Sequence, residues 1–149
     1  MLSIKKAKRE DKNEVMAMVK GFYQSDAVEH EVSMSILERT FDDATSEEEP
    51  LAHGVVLWDD NKIIGYGYWS EGYSCEAGGR MVMLEELFIR PEYRSKGLGK
   101  QFFDLVFKSH PNAVRFRLEV TKSNKRASAL YERLGFEYLN YDQMVYDRK

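Results

Sequence analysis

The chain has little of what disulfide frameworks, metal sites and membrane spans require. Its 149 residues include one cysteine, Cys75, so no internal disulfide can form. The three histidines, His30, His53 and His110, show no H-x-x-x-H spacing, and we expect no metal site. No apolar run approaches the about 20 residues of a membrane span, and the first residues lack the apolar region of a signal peptide. We therefore expect a cytoplasmic protein that does not bind a membrane.

An excess of positive charge is also missing. The net charge is −3, which argues against nucleic acid as a partner. Hydrophobic residues make up 43% of the chain and charged residues 32%, proportions that are ordinary for a globular protein. The length predicts a single domain over residues 1–149.

The most informative segment is a strand followed by a glycine-rich turn and a helix. Residues 82–89 are apolar apart from Glu85 and Glu86, and Pro91 ends this strand because it has no N–H for a ladder. The next segment, Arg94–Lys100, reads R-S-K-G-L-G-K. The apolar residues after it recur at helical spacing. A helix N-terminus therefore opens in a loop whose glycines allow close approach, and free N–H groups favour an anion there.

Basic side chains support the prediction of an anion site, and the spacing of the glycines excludes two classes of ligand-binding loop. Arg94, Lys96 and Lys100 add positive charge to the loop. Two glycines past the middle of the chain do not form the dinucleotide pattern G-x-G-x-x-G, and the Walker pattern is also absent. The loop predicts a site for a phosphorylated small molecule of another kind.

A second segment has the signals of a capped helix. Asn124 is a candidate N-cap, and Ala127, Leu130 and Leu134 give an apolar stripe. Gly135 suits a left-handed C-terminal cap. A tyrosine, Tyr131, lies seven residues after Asn124.

Together, these two segments resemble the hallmarks of the GNAT N-acetyltransferase superfamily. Arg94-x-x-Gly97-x-Gly99 is similar to its acetyl-CoA pyrophosphate loop, and Asn124-x-x-Ala127…Tyr131…Gly135-Phe136 to its second motif. The resemblance covers essentially the whole chain. It implies acetyl-CoA as co-substrate, an amine as acceptor and a fold that also allows a homodimer.

The remaining patterns predict a mixed α/β fold. We expect a strand over 3–7, helices from about 11–22 and 33–41, and a hairpin of strands over 53–58 and 62–69. A loop over 71–79 precedes the strand over 80–89, and an alternating strand starts at Val114. The last residues predict an antiparallel hairpin over 136–139 and 143–146. The resemblance supplies the topology, with about seven strands and four helices, and a central strand pair that splays to admit acetyl-CoA.

The resemblance also implies the cofactor contacts. They are the backbone of Leu87, Phe88 and Ile89 for the pantetheine, the loop of Arg94, Ser95, Lys96, Gly97, Leu98, Gly99 and Lys100 for the pyrophosphate, and Asn124, Ala127 and Tyr131 near the thioester.

Two residue types are expected to carry the chemistry. An aliphatic ammonium must lose a proton before it attacks, and a carboxylate in an apolar strand is suited to accept it. A regular strand would point Glu85 and Glu86 to opposite faces. We choose Glu85 as base, because Leu84-Glu85-Glu86-Leu87 resembles the spermidine/spermine N-acetyltransferase-like members. Glu86 and a water relay stay open as alternatives. The resemblance makes Tyr131 the acid that protonates the departing thiolate.

The acceptor is less well determined, because one scaffold serves many amines in this superfamily. Acidic and aromatic residues on the expected acceptor side favour a small cationic amine: Tyr23, Glu29, Tyr66, Tyr68, Tyr73 and Glu76. The alternatives are a non-catalytic acyl-CoA-binding sensor, a nucleotide-binding regulatory domain, and an acetyltransferase acting on a protein N-terminus or lysine.

Overall fold

The computed structural model describes residues 1–25, 28 and 31–148. These residues form one sheet of five strands in sequential order. The strands are β1 Leu2–Lys6, β2 Ala52–Asp59, β3 Lys62–Ser74, β4 Gly79–Ile89 and β5 Ala113–Leu118. Neighbouring strands from β1 to β4 are antiparallel, and β5 runs parallel to β4.

Helices cover both faces of the sheet. They are α1 Lys12–Tyr23, α2 Met34–Thr45, α3 Leu98–Ser109 and α4 Lys125–Arg133. One buried cluster joins α1 and α2 to one side of β2 and β3, which we call the α1/α2 face. A second cluster joins α3 and α4 to the opposite side, the α3/α4 face. None of the described helices is long and apolar enough to cross a bilayer.

The helices form where the apolar spacing predicts them. The apolar residues of α1 that recur at helical spacing, including Val15, Val19 and Phe22, are buried. In α3, Phe102 is fully buried against β3. A Cβ atom at Gly67 would overlap the Phe102 ring, so the glycine lets α3 pack directly on the strand.

The predicted number of strands is wrong for the described residues. The expected final hairpin over 136–139 and 143–146 has no strand. Large apolar side chains of this segment, among them Met144 and Tyr146, are exposed. Alternation indicates a strand only where a partner completes the ladder, and a two-stranded hairpin alone is marginal in water. The mixed α/β class and the four helices agree with the prediction.

Two element boundaries also differ. β3 extends to Ser74, so the loop expected over 71–79 shortens to residues 75–78. Pairing with β4 continues along this whole stretch and provides hydrogen-bond partners for its backbone N–H and C=O groups. Helix α2 continues to Thr45 instead of ending near Phe41, with Ala44 and Thr45 buried.

The pairing of β4 with β5 ends early. Its last pair is Leu84 with Leu118, where β5 also ends. β4 continues to Ile89, so the edge over residues 85–89 has no strand beside it on the β5 side. This opening, which we call the gap, is where the resemblance predicts the splayed strand pair, although β5 stops short of Val120.

Candidate active site

The register of β3 and β4 decides which backbone groups point into the gap. The Arg90 N–H donates to the Ile64 carbonyl at 2.8 Å, and bonded pairs in an antiparallel ladder recur at every second residue. The backbone of Phe88 therefore bonds to β3, whereas the N–H and C=O groups of Leu87 and Ile89 point toward the gap. Two of the three residues predicted to contact a pantetheine thus offer backbone groups for it.

Arg94 closes one end of this edge. Its Nε donates to the Ile89 carbonyl at 2.8 Å, and its guanidinium lies 5.5 Å from the centre of the Phe88 ring. The carbonyl of Ile89 is thereby occupied, while the N–H and C=O of Leu87 have no such contact with a described side chain.

The N-terminus of α3 carries uncapped backbone donors. Gly97 occupies the N-cap position, where no side chain caps the helix. The first helical bond runs from the Gln101 N–H to the Gly97 carbonyl at 3.1 Å. The N–H groups of Leu98, Gly99 and Lys100 therefore remain free for an anion, and the helix dipole favours one there.

Basic side chains surround these donors. The Lys96 ammonium lies 5.5 Å from the centre of the Tyr93 ring, and Lys100 forms an exposed ion pair with Asp104 at 2.8 Å. Arg126 reaches the same loop from α4 and donates to the Ser95 hydroxyl at 2.5 Å. The residues present fit a pyrophosphate, because neutral N–H donors and cations converge on one helix end.

The two glycines of the loop have different roles. Gly97 has φ of +83°, a conformation that side chains rarely adopt, and a Cβ there would meet nothing within 4 Å. A Cβ on Gly99 would lie 2.9 Å from the Leu130 side chain. Gly99 therefore also makes room for α4, beside the close approach of a ligand that the sequence predicts.

We expect Gly97→Val to abolish stabilisation by acetyl-CoA. The branched side chain disfavours positive φ and shifts the loop that presents the α3 donors. A ligand at a hundredfold excess over its Kd contributes about 2.7 kcal/mol, which is roughly 5–10 °C in Tm for a chain of this length. Thermal unfolding with and without acetyl-CoA measures this shift.

Gly78→Val is the matched control. Gly78 has φ of +74° and equally open surroundings, but it lies in the β3–β4 turn away from α3. Both variants should lower the Tm of the free protein, and only Gly97→Val should lose the acetyl-CoA shift. A normal shift in Gly97→Val, or an equal shift with NAD in the wild type, would contradict this location of the cofactor site.

Helix α4 is capped as the sequence predicts. The Asn124 side chain accepts a hydrogen bond from the Ala127 N–H at 3.3 Å. At the other end, Gly135 has φ of +98° and its N–H donates to the Glu132 carbonyl, while the Phe136 N–H donates to the Tyr131 carbonyl. These paired bonds end the helix in a Schellman motif, so the position of Tyr131 is set by the caps.

Tyr131 lies on the α3/α4 face, where its ring packs against other aromatic side chains. The ring packs edge-on against Phe103 and Phe136. Burial raises the pKa of the Tyr131 phenol, which therefore stays protonated near neutral pH. Within the described residues its hydroxyl makes no hydrogen bond. A neutral phenol without a hydrogen-bond partner can donate a proton.

A β-bulge changes the predicted orientation of the two glutamates. Tyr68 pairs with Glu86 and Trp69 with Leu84, so Glu85 has no partner on β3. The Glu86 side chain bonds to tyrosines of the α1/α2 face, and Glu85 accepts a hydrogen bond on that same face. The expectation that these carboxylates point to opposite faces is wrong, because the extra residue in the bulge interrupts the alternation.

The environments of the two carboxylates differ. Glu86 is mostly buried and accepts hydrogen bonds from Tyr23 at 2.7 Å and from Tyr66 at 2.8 Å. Burial raises the pKa of Glu86, the two phenols oppose that shift, and the Glu85 charge adds to it. Glu85 is exposed and accepts from the Ser70 hydroxyl at 2.7 Å. Sequence reasoning placed both tyrosines on the acceptor side but missed their bonds to Glu86, since no local signal joins Tyr23 to a residue 63 positions away.

The other residues expected on the acceptor side differ in their exposure to solvent. Tyr66 and Tyr68 are buried in the core, Tyr73 is exposed, and Glu29 lies outside the described residues. A cleft of about 850 Å³ lies between the segment after α1, the segment after β5 and the chain after α4. Within the described residues no three His, Cys, Asp or Glu side chains could hold a metal ion.

Comparisons with known proteins agree with this geometry. The acetyltransferase (GNAT) family matches residues 9–136. Thialysine N-epsilon-acetyltransferase from Mus musculus is 29% identical over 146 residues, covering 91% of this chain and 84% of that protein. A possible acetyltransferase from Clostridium difficile 630 has a TM-score of 0.81 at 20% identity, covering 100% of this chain and 99% of that one.

A second solved structure shares the fold. A predicted acetyltransferase from Clostridium acetobutylicum, solved with acetyl-CoA, has a TM-score of 0.78 at 16% identity and covers 98% of this chain and 96% of that one. Such low identities show the fold alone. The family match spans both motifs, the glycine loop and the capped helix with Tyr131. The chain therefore belongs to the acetyltransferase (GNAT) family and is an acetyl-CoA-dependent N-acetyltransferase.

Proposed function

We propose that the chain transfers the acetyl group of acetyl-CoA to the primary amine of a small, cationic acceptor by direct attack in a ternary complex. Glu85 is the base and Tyr131 the acid. The observation that supports the proposal is that these groups belong to opposite faces of the sheet. The glutamates lie on the α1/α2 face, and Tyr131 belongs to the α3/α4 cluster. A thioester and an amine can meet between them without a covalent enzyme intermediate.

Acetyl-CoA supplies the acetyl group as a thioester. Glu85 accepts a proton from the ammonium of the acceptor, directly or through a water, and so frees the lone pair that attacks the carbonyl carbon. The Leu87 N–H points into the gap and donates to the carbonyl oxygen as negative charge develops there. Tyr131 donates its proton to the departing sulfur, and the proton that the attacking nitrogen loses as the neutral amide forms restores the phenol. The products are the acetylated amine and CoA, and the proton held by Glu85 is released to solvent.

Charge and the comparisons support the acceptor class. Two adjacent carboxylates on one face attract a cation, and the tyrosines bonded to Glu86 keep that group oriented. The relative from Mus musculus is named for acetylation of an epsilon nitrogen of a small molecule, thialysine. Both observations favour a small amine over a protein side chain.

A panel of amines tests the proposal. Turnover of acetyl-CoA is measured with polyamines, amino acids, lysine peptides and a peptide with a free N-terminus at equal concentrations. We expect the highest kcat/KM on a small amine. The highest rate on a peptide N-terminus would move the acceptor to proteins, and acetyl-CoA binding without turnover of any amine would support a sensor instead.

A further inference from the structure

Strand β5 presents two arginines on the face where the glutamates lie. Phe116 and Leu118 pack in the cluster of the α3/α4 face. Arg115 and Arg117 alternate with them, so they project from the α1/α2 face. Glu85 lies on the same face, next to the gap. The acceptor side is therefore not uniformly acidic.

The two arginines differ in what they contact. Arg115 forms an ion pair with Glu76 at 3.0 Å, and Tyr141 donates to the other Glu76 oxygen at 2.7 Å. The hydrogen bonds from Tyr141 and Arg115 lower the pKa of Glu76, and the charge of Arg117 adds a smaller effect in the same direction. Arg117 is half-buried and makes no hydrogen bond or ion pair with any residue in the described part of the chain. Arg117 acts on Glu76 only through its charge and makes no direct bond to it, so the N–H donors of its guanidinium stay available to a ligand.

Arg117 and Glu85 are close enough for one small molecule to contact both side chains. Arg117 lies opposite Met83, and Glu85 is two residues farther along β4. Strand spacing and rise place the Cα atoms of Arg117 and Glu85 about 8 Å apart. A ligand with a cationic amine at one end and a carboxylate at the other can contact both side chains.

We propose that Arg117 binds the carboxylate of an acceptor that is an amino acid with its reactive amine at the far end of its side chain. This inference rests on the transferase function proposed above and names the acceptor more closely. A guanidinium pairs with a carboxylate through two parallel hydrogen bonds. A diamine brings a second cation to the same place and is repelled. Arg117 thus selects a diamino acid over the diamine of equal length.

Three probes isolate the carboxylate. L-Lysine carries it, L-lysinamide replaces it with a neutral amide of similar shape, and cadaverine lacks it. We expect the wild type to use lysine with kcat/KM roughly 10- to 100-fold above that for lysinamide or cadaverine, the effect of one bond to a charged group. Arg117→Met should remove this preference by raising KM for lysine, with the rate on cadaverine equal or higher. Arg117→Lys should retain part of the preference.

Arg39→Met is the matched control, because Arg39 is an exposed arginine on α2. It should keep the full preference for lysine. Equal use of lysine and lysinamide by the wild type would overturn the inference and leave the transferase function standing. A retained preference in Arg117→Met, or a loss of preference in Arg39→Met, would also overturn it. If Arg117→Met fails to fold, Arg117→Lys and the wild-type comparison decide. Turnover of no amine at all would overturn the proposed function and this inference with it.

Discussion

Replacing Tyr131 with phenylalanine should lower kcat by about 10²-fold or more, because the hydroxyl acts only as the thiolate leaves. The ring contacts with Phe103 and Phe136 remain, so the fold and the Kd for acetyl-CoA should change little. Steady-state kinetics on the best amine, beside calorimetric titration with acetyl-CoA, separates the two quantities.

Tyr138→Phe provides the control for Tyr131→Phe. Tyr138 is an exposed tyrosine shortly after α4, so removal of its hydroxyl should leave both kcat and affinity unchanged. If Tyr131→Phe keeps near-normal turnover, Tyr131 is a packing residue and another group protonates the thiolate. If Tyr131→Phe loses acetyl-CoA binding instead, the phenol serves to bind the co-substrate and its assignment as the acid is wrong.

Replacing Glu85 with glutamine should lower kcat by about 10²- to 10⁴-fold, the range for a missing general base. Glutamine has nearly the same shape and keeps an oxygen for the Ser70 hydroxyl, but it cannot accept a proton at catalytic pH. The rate that remains should no longer show the acidic limb of the wild-type profile. The ratio of wild-type to mutant rate against pH reports this limb, because ionisation of the acceptor cancels.

Glu86→Gln is the matched comparison for the base. It changes the adjacent carboxylate, which two tyrosine hydroxyls hold. An amide can accept from only one of these phenols, so this variant should mainly lower the Tm and keep the acidic limb. Burial raises the pKa of Glu86, so an acidic limb set by this group would lie above that of an ordinary carboxyl. If Glu86→Gln loses the acidic limb of the pH–rate profile and Glu85→Gln keeps it, Glu86 is the base.

The bulge explains why the choice between these glutamates could not be made from the sequence. Alternation along residues 82–89 predicts one glutamate on each face, and this holds only while every residue of β4 has a partner on β3. Between Tyr68 and Trp69 the register shifts, and Glu85 is the unpaired residue. The shift depends on how two strands meet, which neither strand's own pattern encodes.

Near the C-terminus, the sequence predicted strands that the described part of the chain does not form. Residues 136–139 and 143–146 are predicted to form a hairpin, yet the structure places no strand there among the described residues. By contrast, the caps of α4 at Asn124 and Gly135 were predicted correctly. A cap needs only groups within one turn of the helix, whereas a strand needs a partner with free backbone groups.

The sequence by itself determined the elements whose signals are local. These are the glycine at positive φ before α3, the uncapped donors that follow it, and the capped helix that carries Tyr131, because each depends on bonds within a few residues. Only the tertiary structure decided which groups share a face. It joined Tyr23 to Glu86, turned Glu85 to the same side and placed Arg117 of β5 opposite Met83 of β4. Such contacts join residues far apart in the chain, so their geometry follows from the packing of whole strands and helices.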